Sequence, residues 1–193
     1  VILDEVDAGD KVLVYSGIHH AFSEYQQPIV WEGEFVRFET TRTGNYVHRA
    51  IGKRAVTVFL HAPWRGTGGY EDEMVHFGDG AIDALMLNRS GGPYAVGFDL
   101  GESPLGQLRI ENAVYRYGYD DFRLSQFADG WIYTKPISEY EGVTPIQDWI
   151  NESNIEIARL QMPNPAFRDA AIERFNAGIA EDADIPRRWG HLR

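Results

Sequence analysis

Four short apolar runs punctuate the chain: Lys11–Ser16, Ala55–Leu60, Tyr94–Phe98 and Gly130–Thr134. None alternates cleanly between apolar and polar positions. That is the pattern of a strand covered on both faces, as in a parallel sheet. Gly17 closes the first run and Pro136 the last. Spacings of about 35–45 residues leave room for a crossover helix between successive strands. Helical periodicity fills those gaps. Tyr46, Val47, Ala50 and Ile51 share a face over 45–51, with Gly52 as the stop. Ile82, Leu85 and Met86 do the same over 79–87, with Asp79 as N-cap and Gly91-Gly92-Pro93 as terminator. A shorter helix is predicted over 121–127.

The texture changes after Pro145. Residues 146–160 and 165–180 read as amphipathic helices separated by Met162-Pro163-Asn164-Pro165. Phe167, Ala171, Phe175 and Ile179 form the apolar stripe of the second. The tail over 183–193 reads as a solvated end. The expected fold is therefore α/β: a mainly parallel sheet of about four strands with crossover helices over 1–145, and a C-terminal helical pair over 146–193 packing on it. The opening Ile2, Leu3 and Val6 sit at helical spacing. They read as the end of a helix already under way, as expected either where a leader has been trimmed off or where the chain is the later portion of a longer protein.

Composition narrows the function. At 193 residues, 44% hydrophobic and 24% charged, the chain is of ordinary globular type, which excludes a disordered or fibrous protein. A net charge of -11 argues against nucleic acid as a partner, since that role needs clustered Lys and Arg. No apolar run is long enough for a transmembrane segment, and no targeting segment lies within the chain, so a soluble protein is expected. The absence of cysteine removes disulfides, thiolate zinc sites and cysteine nucleophiles.

In parallel α/β sheets, ligands sit at the carboxyl ends of the strands. There the sequence delivers His19 and His20 after the first run, His61 after the second, and Asp99 and Glu102 after the third. Converging imidazoles and carboxylates suit a divalent metal or an acid–base pair. His20 is read as ligand or general base, His61 as a second imidazole and metal ligand, Asp99 or Glu102 as the carboxylate partner, and His19 as an orienting or cofactor-binding group. His76 and Asp79, in a turn-rich stretch, form a second-rank pair. Glu139 and Glu141, after the fourth run, read as solvated. Gly66-Thr67-Gly68-Gly69 lacks the Lys-Ser/Thr ending of a phosphate loop, Ser90-Gly91-Gly92 is not a nucleophile elbow, and His-Glu-x-x-His does not occur. Trp31, Trp64 and Tyr70 fall in loops. They suit the wall of a cleft for a planar ligand, or equally fillers between helices and sheet.

A buried strand followed by Gly-x-x-His, as in Val12-Leu13-Val14-Tyr15-Ser16-Gly17-Ile18-His19-His20, resembles the later half of the erythromycin-esterase/ChaN/TIKI-TraB superfamily. Phe127-Ala128-Asp129-Gly130-Trp131-Ile132-Tyr133 is similar to that group's closing strand segment. The resemblance spans about residues 8–135, and its first motif is the sharper one. It implies a metal- or His/Glu-dependent hydrolytic site acting on an ester or amide of a small molecule or peptide, or a haem-binding role, with His20 matching the motif histidine. The group's earlier Gly-Glu-x-x-His-like motif has no counterpart here. A third reading is a structural or interaction domain, in which the C-terminal helices make a homo-oligomer.

Overall fold

The computed structural model describes residues 2–69, 72–88, 95–162 and 169–192, which fall into two compact units, one through Ile137 and one from Ser138. The first contains helices α1 (Ile2–Asp7), α2 (Ile18–Ala21), α3 (Thr43–Ile51), α4 (Ala81–Leu87) and α5 (Leu124–Phe127). Its strands are β1 (Gln27–Trp31), β2 (Glu34–Glu39), β3 (Val58–Leu60), β4 (Trp64–Arg65), β5 (Met74–Val75), β6 (Val96–Asp99) and β7 (Gly130–Tyr133). The second holds α6 (Ile155–Gln161), α7 (Ile172–Ala183) and α8 (Ile185–Arg188). Among the described residues, no helix is long and apolar enough to cross a membrane.

The expected mainly parallel sheet of about four strands is not formed. The largest sheet has three strands in the order β3-β7-β6; β3 runs parallel to β7, and β6 runs antiparallel to it. Two separate antiparallel pairs, β1-β2 and β4-β5, are the other sheets among the described residues. The connection from β6 to β7 carries short 3-10 turns and the one-turn α5, with no crossover helix to impose a parallel return. Lys11–Ser16 joins no strand; Leu13 is 96% and Tyr15 90% exposed. The start of the third run, Tyr94, and the terminator Gly91-Gly92-Pro93 lie outside the described residues.

The β1-β2 hairpin has no counterpart in the sequence reading. Its loop is Glu32-Gly33, with φ of 49° and 80°, and Trp31 pairs with Glu34. Two successive left-handed residues make the mirror-image turn whose twist matches a hairpin. Pro28 is tolerated because, among the described residues, β1 pairs with β2 alone and so lies at a sheet edge.

Register sorts the three-stranded sheet into two faces. Phe59, Trp131 and Phe98 lie side by side on one face, and Leu60, Ile132 and Gly97 on the other. The first face closes on a core rich in aromatic rings, with Phe22, Tyr25, Trp64, Phe77, Tyr115 and Phe127 buried in it. Trp64, read from the sequence as either a cleft wall or a filler, is core. Trp31 is exposed on β1, and Tyr70 lies outside the described residues.

The expected helix at 45–51 begins two residues earlier and stops at Gly52, whose N–H returns to His48 O. Its first turn carries Asn45, which is buried. The Asn45 amide donates to Ser23 O at 2.8 Å and Tyr25 O at 3.0 Å, while its oxygen accepts from the Arg42 N–H at 3.2 Å. One side chain thus caps α3 and ties it to the segment before β1. Asn45→Ala strands two buried carbonyls, so it is expected to cost about 2–3 kcal/mol, read from urea unfolding.

The C-terminal pair is likewise corrected. Instead of helices over 146–160 and 165–180, the described residues of the second unit form three shorter helices and a closing 3-10 turn, Gly190–Leu192. Phe167 and Pro165 lie outside the described residues. The unit has its own small core of Ile150, Ile155, Ala170 and Phe175, with Ile179 packed against it.

Candidate functional site

His61 follows β3 directly and extends its pairing, its N–H donating to Ile132 O at 2.7 Å. The imidazole is buried, lying 4.8 Å from the Tyr133 ring and 6.0 Å from that of Trp131. The first turn of α4 brings Asp83 to it. His61 Nε2 donates to Asp83 Oδ1 at 2.9 Å, and the Ile137 N–H donates to Oδ2 at 3.2 Å. A second imidazole approaches the same carboxylate: His76 Nδ1 stands 3.6 Å from Asp83 Oδ2, an ion-pair rather than a hydrogen-bond distance. The His61 side chain is 2% exposed, that of Asp83 11% and that of His76 28%. One carboxylate therefore links a sealed imidazole to a partly solvated one.

The Asp83 carboxyl is held below its ordinary range. Burial pushes it up. The hydrogen bond and charge of His61, the Ile137 N–H and the Tyr133 hydroxyl outweigh that and pull it down.

His76 is set by an unusual turn. Gly78, Asp79 and Gly80 are all left-handed, with φ of 63°, 53° and 77°. Such a conformation at Asp79 costs about 1 kcal/mol and needs support. Asn112 supplies it: Nδ2 donates to His76 O at 2.6 Å and Asp79 Oδ1 at 2.8 Å, and Oδ1 accepts from the Gly78 N–H at 3.3 Å. Asp79 is thus not the N-cap of α4; Gly80 occupies that position.

The residues nominated by sequence separate. His61 is in the site. Asp99 is not, because β6 runs antiparallel: Asp99 pairs opposite Gly130, at the other end of β7 from the Ile132 carbonyl that holds His61. The Asp99 carboxylate caps its own turn through the Gly101 N–H at 2.8 Å, and Glu102 is exposed. His20 is exposed at the end of α2. Glu139 and Glu141 are exposed, as expected. Asp83 went unnoticed in the sequence. Its signal was an acid set in the otherwise apolar stretch Ala81-Ile82-Asp83-Ala84-Leu85-Met86.

His19 is half-buried, with Nε2 3.0 Å from the Tyr115 hydroxyl. Burial, the Arg42 charge and the neighbouring His20 lower its pKa from 6.5 to about 4. The ring is neutral when folded and protonates more readily when unfolded, so stability rises with pH between these values. Unfolding free energy should fall by about 1–2 kcal/mol from pH 7 to pH 4, allowing for solvent screening of a half-buried ring. His19→Gln should flatten that part of a pH series of urea melts.

The resemblance implies a divalent metal or haem, and the donors do not fit a metal. Among the described residues, no three His, Cys, Asp or Glu side chains are grouped to hold an ion. Nor does the glycine loop form a phosphate cradle, for the Gly68 N–H donates to the chain's own Asp72 carboxylate at 2.7 Å. A cavity of about 310 Å³ lined by Ser23, Tyr25, Tyr119, Ser125 and Asp129 lies toward the amino end of β7. His61 and Asp83 are at the carboxyl end.

Comparison with protein-family models, curated proteins and solved structures finds no match to this chain.

Proposed function

We propose that the chain is a hydrolytic domain that cleaves an ester or amide of a small molecule or peptide, with His76 as general base. The single observation that supports this reading is the Asp83 carboxylate joining buried His61 to part-exposed His76. The Asp83 carboxylate faces Nδ1 of His76 at 3.6 Å, which leaves Nε2 as the nitrogen to act as base. His76 then takes a proton from water as the hydroxide oxygen attacks the carbonyl carbon. The same proton passes to the leaving group when the bond to carbon breaks. His61 anchors the other carboxylate oxygen and fixes the angle at which Asp83 meets His76. Compared with the sequence reading, His61 is retained and Asp83 replaces Asp99 and Glu102 as the carboxylate. No step is routed through a metal.

A panel of short-chain p-nitrophenyl esters and aminoacyl p-nitroanilides tests the reading. His76→Gln is expected to lower kcat by about a hundredfold or more while leaving the unfolding midpoint within error. A parent protein inert across the panel, or a His76→Gln variant that keeps its rate, rejects the proposal.

A further inference from the structure

The exposed run Lys11–Ser16 is built like a strand and lacks a neighbour. Its backbone makes no hydrogen bond among the described residues, and four consecutive apolar side chains, Val12 to Tyr15, face solvent. The flanking helices α1 and α2 each contact α3.

A complementary deficiency lies on the three-stranded sheet. The order β3-β7-β6 leaves the outer edge of β3 with no partner strand among the described residues. Beside that edge Val58 is 49% and Leu60 50% exposed, and Val56 precedes them in solvent. An open edge presents a row of backbone donors and acceptors that an extended segment can satisfy. Added as a strand, Lys11–Ser16 would place alternate side chains on the two faces, with one set continuing the outer apolar face of Val58, Leu60 and Ile132.

We propose that Lys11–Ser16 of one copy adds to the β3 edge of a second copy, and that the exchange is reciprocal. Donor and acceptor are on the same chain, so a two-fold pair satisfies both twice and leaves neither open. Each addition brings the exposed apolar side chains Val12 to Tyr15 against the exposed Val58 and Leu60, taking both sets out of water together.

Sedimentation velocity over a wide concentration range, with amide hydrogen exchange on the same samples, tests this. The full chain is expected to dimerise, with amides of Lys11–Ser16 and of β3 protected in the dimer. Val14→Pro removes a donor from a segment that makes no internal hydrogen bonds, so it should leave the circular-dichroism melt unchanged. It should weaken dimerisation at least about tenfold. Leu13→Lys with Tyr15→Lys should do the same without touching the backbone. A strictly monomeric chain overturns the proposal. So does a monomer in which Lys11–Ser16 is already protected, which would mean pairing within one chain. A dimer that persists in Val14→Pro also overturns it, as a contact through the C-terminal helices would persist.

Discussion

Replacing Phe127 by alanine is expected to lower the unfolding free energy by about 3–5 kcal/mol and the melting temperature by roughly 10 °C. Phe127 is buried at the end of the single turn of α5, where the chain turns into β7. Its ring stacks on Phe59 at 4.7 Å and meets Trp64 edge-on at 4.4 Å, with Tyr25 at 5.1 Å and Phe22 at 5.3 Å. Those partners come from the segment before β1, from β3 and from β4. One ring therefore joins elements far apart in sequence. Stiff aromatic neighbours collapse poorly into the space a lost ring leaves, which places the cost toward the upper end of the range. Phe127→Leu should recover about half of it. Leu85→Ala, at a half-exposed position on α4, serves as the comparison and should cost under about 0.5 kcal/mol. If urea melts give Phe127→Ala no larger a loss than Leu85→Ala, the core does not close on this ring.

The contrast between α5 and β6 shows how much of the fold the sequence carried. The apolar runs around Val58, Val96 and Trp131 were legible, and all three became strands. Their direction was not legible, because direction is set by what the connection does, and the stretch after Asp99 builds 3-10 turns where a crossover helix was expected. That one reversal puts Asp99 at the opposite end of β7 from His61. Lys11–Ser16 has the strand composition read from it, but composition alone supplies no neighbour. The β1-β2 hairpin was hidden by Pro28 and by a turn written Glu-Gly instead of Asn-Gly or Asp-Gly. Of the site, His61 followed from its place after a strand. The importance of His76 was half seen through its turn. Asp83 becomes visible only once α4 is docked, because a lone acid on an apolar helix face gives no hint of which imidazole it will meet.

Asp83→Ala is expected to cost about 2–4 kcal/mol and to abolish hydrolysis if His76 is the base. The loss is large because the carboxylate is shared. Removing it takes the acceptor from buried His61 Nε2 and from the Ile137 N–H, and takes the counter-charge from His76. Asp83→Asn separates the two roles. It keeps an oxygen for one donor, so the structural cost should fall to about half, yet it presents no charge to His76. Activity should therefore be lost in both variants, and stability chiefly in the first. Acid titration supplies an independent check. The folded carboxyl lies below its unfolded value of 3.8, so its contribution is present above that pH and fades as pH falls through the folded value. The His19 contribution fades earlier, between pH 6.5 and about 4. The two windows are distinct: Asp83→Asn should flatten the stability curve below pH 4 and leave the upper part unchanged, while His19→Gln should do the reverse. An Asp83→Asn protein that still loses stability steeply below pH 4 would show that other carboxylates govern acid unfolding and that Asp83 is not the charge at the centre of the pair.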